Sequence, residues 1–110
     1  MVALAMPVLI RCWEEADALI VRPENPLPGS QAYSRIDRIV QRLHAGIRHV
    51  VFDLGGFRHL DSRNLAVVAA LLAALQRRGI SEFTAIKVPR RGWAVLEALG
   101  LDRYFAHAGV

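Results

Sequence analysis

The stretch Ile47-Arg-His-Val-Val-Phe-Asp-Leu54 constrains this chain most, because Val50, Val51 and Phe52 are apolar in succession rather than in alternation. A half-buried strand alternates apolar and polar residues, so a short unbroken run predicts a central strand covered on both faces. Such a strand needs parallel neighbours reached through crossover helices. Gly55-Gly56 ends it and is read as a turn, since it lacks the spacing of a phosphate-cradling loop.

The rest of the chain supplies the neighbours. Pro7 to Trp13 and Ala18 to Arg22 are short apolar runs separated by Glu14-Glu15-Ala16-Asp17, the pattern of two strands joined as a hairpin. Three prolines and a glycine between residues 23 and 29 then form a loop, with Ser30 placed to cap a helix. That helix carries Tyr33, Ile36, Val40 and Leu43 at buried-stripe spacing and stops at Gly46. A second helix is expected from Asp61 or Ser62 to about Arg78, closed by Gly79, with Leu65, Val68, Leu72 and Leu75 facing the core. Its other sides are almost free of polar residues, so it either lies between two layers or keeps an apolar patch for a partner, and an exposed strip through Val67, Ala70, Leu71 and Ala74 is expected. Glu82 to Val88 reads as a last strand, leading through Pro89 to a helix bearing Trp93, Leu96 and Leu99 and ended by Gly100. Tyr104 and Phe105 are expected to pack back onto the domain. The order is strand, strand, helix, strand, helix, strand, helix. It predicts an α/β fold with a mixed, mostly parallel four-stranded sheet and helices mainly on one side.

Composition narrows the function. A chain of 110 residues with 54% apolar and 22% charged residues fits one folded domain spanning residues 1–110. Cys12 is the only cysteine, so an internal disulfide is excluded and a partly buried thiol is expected. The formal charge of +4 is carried almost wholly by arginine, but the arginines are scattered and no aromatic platform interleaves them, which argues against direct nucleic-acid binding. Arg35, Arg38 and Arg42 share one helical face, read as the solvated side of an amphipathic helix. The opening Met1 to Pro7 lacks a basic region, and the longest apolar run, Leu65 to Leu75, is short of the ~20 residues of a membrane span. A cytoplasmic protein is expected.

No catalytic or metal constellation emerges. His44, His49, His59 and His107 include no pair at metal-site helical spacing, so no metal or cofactor is expected. Asp53 and Asp61 lack the nucleophile and oxyanion donors that an acid–base pair would need, and Asp53 is read as an acceptor that orients its loop. The chain is not expected to be an enzyme.

Val50-Val-Phe-Asp-Leu54, a short loop, Leu60-Asp-Ser62 and a long apolar helix together resemble the central signature of the STAS family. The resemblance continues through Val88-Pro-Arg-Arg, Val95-Leu96 and Gly100-Leu-Asp-Arg-Tyr-Phe105, covering about residues 47–105. It departs at Arg63 and Asn64, where antagonists of the family usually carry a small residue and then glycine. The resemblance implies an anti-sigma factor antagonist, a phosphoprotein switch in bacterial transcription regulation that binds an anti-sigma factor of the serine-kinase type. It makes Ser62 the phosphoacceptor and Asp61, Arg63, Asn64 and Val67 the partner-binding residues. The alternative it implies is a non-phosphorylated STAS accessory subunit of a lipid-transport ABC-type ATPase, or a scaffold in a stress-signalling assembly. Independently of the family, a hydroxyl at a helix N-terminus sits where free backbone N–H groups and the positive dipole end favour an anion.

Overall fold

The computed structural model describes residues 10–24, 29–57 and 60–107. An antiparallel hairpin, β1 (Ile10–Glu15) and β2 (Ala18–Pro23), opens it. Helix α1 (Gly29–Gln41), strand β3 (His49–Asp53), helix α2 (Ser62–Arg77), strand β4 (Glu82–Ile86) and helix α3 (Gly92–Ala98) follow. Strands β2, β3 and β4 are parallel neighbours in that order. A two-residue strand β5 (Ala106–His107) adds a parallel edge beside β4, so the expected mixed sheet of four strands is extended to five.

The helix boundaries follow from local chemistry. α2 opens at an Asp61 cap and closes where Gly79, at φ +96°, allows Ile80 N–H to reach the Leu75 carbonyl and Gly79 N–H to reach that of Gln76. α3 closes the same way at Gly100, φ +73°. α1 begins at Gly29, so Ser30 lies inside its first turn rather than at the cap position.

One core serves the sheet and all three helices. Leu19, Val21, Val50, Phe52, Phe83 and Ala85 face it from the strands, Ile36 and Ile39 from α1, Leu65, Val68, Leu72 and Leu75 from α2, and Leu96 from α3. Phe52, Phe83 and Phe105 meet edge to face, with centroids 5.1–6.4 Å apart, which fastens the tail to the sheet. Tyr104, expected beside it in the core, is exposed.

β3 is central, as its apolar run requires, but it is not equally covered on its two sides. Val50 and Phe52 are fully buried, whereas His49 and Val51 on the opposite face are half-buried. The helices all pack on the Val50 and Phe52 side, and on the other face a His49–Thr84 hydrogen bond of 2.7 Å and the side chains of adjacent strands supply the cover. On α1 the stripe is rotated: Ile36 and Ile39 are buried, while Tyr33 is exposed.

Candidate functional site

The carboxyl ends of β3 and β4 carry the site. Asp53, at the end of β3, is 3% exposed. Its Oδ1 accepts from Gly55 N–H at 2.9 Å and from Arg22 Nη1 at 3.0 Å, and Lys87 Nζ lies 3.7 Å from Oδ2. A buried carboxylate is tolerated when it is paired and hydrogen-bonded, and both conditions hold. Partial burial disfavours the Arg22 cation, but hydrogen bonds to Glu24 and Asp53 more than offset this and hold its pKa above the ordinary guanidinium value. Asp53 thus shapes the turn Leu54–Gly56, as expected of a loop-orienting acceptor. Gly56 is required there because a Cβ would lie 2.5 Å from the Pro23 carbonyl oxygen.

The chain re-enters the described region at Leu60, which is buried, and Asp61 follows as the cap of α2. Asp61 Oδ1 accepts from Asn64 N–H at 2.9 Å. This leaves Ser62 as the first residue of the helix, exposed, beside backbone N–H groups that have no carbonyl partner within the helix. Arg63 is also exposed.

Asn64 and Val67, expected on the partner surface, are 4% and 3% exposed. The strip proposed around Val67 is corrected with them: Leu71 and Ala74 are buried as well, and Ala70 is half-covered. α1 lies alongside α2, so the helix buries two stripes instead of one. The open face of α2 is the row Ser62, Ala66, Ala69 and Ala73.

That row borders an apolar groove. A cleft of about 450 Å³ at Ser62 is lined by Leu60, Asp61 and Leu65, by Ala94, Val95 and Ala98 of α3, and by Arg91 and Leu99 that flank that helix. A second, smaller cleft of about 340 Å³ is bounded by Ala66, Ala69, Leu99 and Leu101. Ser62, Leu65 and Leu99 line both. Leu99 is 58% exposed, the most exposed large apolar side chain among the described residues. Helical spacing puts Leu99 on the last helix with Leu96 but does not mark it as exposed, and Arg91 stands out in the sequence only as part of Val88-Pro-Arg-Arg before Gly92.

Among the described residues no group of three or more His, Cys, Asp or Glu side chains is arranged to hold a metal ion. No helix among them is long and apolar enough to cross a membrane. His59 lies outside the described residues.

The family model for the STAS domain matches residues 11–108. No curated protein matches the sequence. Among solved structures, the fold resembles the protein TM1081, determined by NMR, at TM-score 0.73 and 17% identity, covering 100% of this chain and 88% of that one. It also resembles the anti-sigma factor antagonist SpoIIAA in its unphosphorylated form, at TM-score 0.67 and 11% identity, covering 92% of this chain and 89% of that one. A part of Mglu is similar at TM-score 0.55 and 21% identity, covering 73% of this chain and 20% of that one.

Proposed function

Because the chain belongs to the STAS domain family, we propose that it acts as an anti-sigma factor antagonist, a protein-binding switch whose partner is an anti-sigma factor of the serine-kinase type and whose phosphoacceptor is Ser62. The observation that carries this reading is the position of Ser62, exposed at the first turn of α2 and lining both apolar clefts. In the unphosphorylated state the groove offers Ala66, Ala69, Val95, Ala98 and Leu99 for desolvated contact, with the exposed Arg63 next to Ser62 in the chain. Asp61 fixes the serine by capping the helix. Phosphorylation places about −1.5 to −2 charges at the centre of that surface, and burying such a group against apolar atoms opposes binding. The fold tolerates the phosphate, since the helix dipole favours an anion there and Arg91 lines the same cleft as Ser62.

In this reading the whole chain, residues 1–110, works as one domain in the bacterial cytoplasm and regulates transcription by releasing a sigma factor, with no chemistry of its own. The likeness to SpoIIAA supports the fold on which this rests. The test is incubation with candidate serine-kinase anti-sigma factors from the source organism and ATP, with the phosphosite mapped by mass spectrometry. Phosphate at Ser62 and binding by the unmodified form are expected. Stable association with an ABC-type ATPase instead, with Ser62 unmodified, would overturn the reading.

A further inference from the structure

Arg35 and Arg38 of α1, and Arg42 just beyond its end, do more than face solvent. Arg35, Arg38 and Arg42 stand along one edge of a cleft of about 300 Å³ between α1 and the β1–β2 hairpin. The floor is aliphatic, formed by Ile10, Leu19, Ile39 and Leu43. Cys12 and Glu14 enter from β1. This cleft lies on the hairpin side of α1, and it shares no lining residue with the groove beside Ser62.

The charges there are unbalanced. Among the described residues the ion pairs engage Arg11, Arg22 and Lys87, and none of Arg35, Arg38 and Arg42 has a carboxylate within ion-pair distance. Three guanidinium groups face one carboxylate, that of Glu14. The Cys12 thiol reports the same field: burial pushes its pKa up, while Arg35 and Arg42 pull it down and Glu14 adds to the rise. An apolar floor beneath uncompensated guanidinium groups matches a molecule with a hydrocarbon body and an anionic head, since guanidinium forks bind carboxylates through paired hydrogen bonds. The volume lies at the lower limit of small-molecule sites, which suits one chain of medium length.

We propose that the cleft between α1 and the β1–β2 hairpin binds a soluble medium-chain carboxylate, its chain over Ile39 and Leu43 and its head held by Arg38 and Arg42. The site is independent of the Ser62 groove.

Cys12 gives a direct readout, because it is the only cysteine in the chain. The experiment measures maleimide labelling of the full chain with increasing decanoate below its micelle concentration. Decanol and acetate serve as matched controls for chain without charge and charge without chain, and anionic phospholipid vesicles as a membrane control. Nitrogen-15 NMR titration locates the contacts. Decanoate is expected to slow labelling several-fold with saturation and to shift resonances of Leu19, Ile39 and Leu43, with acetate inert and decanol weaker by about tenfold. Arg38→Ala with Arg42→Ala, both exposed positions, should leave the fold intact and weaken decanoate by about tenfold or more. The proposal is overturned by equal affinity for decanol and decanoate, by shifts confined to the Ser62–Leu99 groove, by protection only with vesicles, or by no saturable response.

Discussion

Asp53 and Asp61 stand at the two ends of one loop and differ in what their loss would do. Asp53 is buried and holds Arg22, Lys87 and the Gly55 N–H, so Asp53→Ala leaves Arg22 Nη1 and a turn N–H without their acceptor, while Arg22 Nε keeps Glu24. A loss of about 3 kcal/mol is expected in urea unfolding, short of the full cost of breaking a buried pair because Arg22 and Lys87 keep access to water. Asp61→Ala removes a helix cap and should cost about 0.5 to 2 kcal/mol by the same measurement, with Asp61→Asn recovering most of it. The role of Asp53 was legible because a carboxylate that ends an apolar strand and precedes Gly-Gly has a backbone N–H to accept. Asn64 was not, since its burial depends on how the turn after Asp53 brings the chain back, which no local pattern encodes.

At the scale of elements, α2 shows where pattern reading succeeds and where it stops. The Asp-Ser start, the Leu65–Val68–Leu72–Leu75 stripe and the Gly79 stop are all local, and all are found. A helix apolar on most sides has two solutions, a second buried face or an exposed patch, and only the position of α1 decides between them. It covers Val67 and Leu71. The open groove is instead made by Ser62, Ala66 and Ala69 with Leu99, residues separated by a strand and a crossover. Substitutions on adjacent positions separate these faces. Val67→Asp buries an unpaired carboxylate and should destabilise the domain by several kcal/mol. Ala66→Asp should leave stability within about 0.5 kcal/mol yet weaken anti-sigma factor binding, as should Leu99→Ser at an exposed position. Thermal unfolding and calorimetry on the same samples check both halves of this expectation.

Over the whole molecule, the order of elements and the mixed sheet were legible because parallel crossovers leave few arrangements open. The short β5 was not, because two residues carry too little pattern to mark a strand and its pairing depends on Phe105 seating against Phe52 and Phe83. Leu71→Ala, deep between helices, should cost about 2 to 5 kcal/mol and unfold the domain as one unit, since a single core joins all three helices to the sheet. The function rests on a narrower point, that the same surface binds a partner when Ser62 is a hydroxyl and rejects it when Ser62 is a phosphate. The most direct measurement is calorimetric affinity for the cognate anti-sigma kinase, made with unmodified protein, with Ser62→Ala, and with the wild-type chain after phosphorylation and confirmation of the site by mass spectrometry. Near-equal affinity for the first two and a loss of about a hundredfold or more for the third is predicted, because a desolvated charge at the centre of an apolar interface costs several kcal/mol. Equal affinity for all three, or no phosphate at Ser62, would contradict the switch.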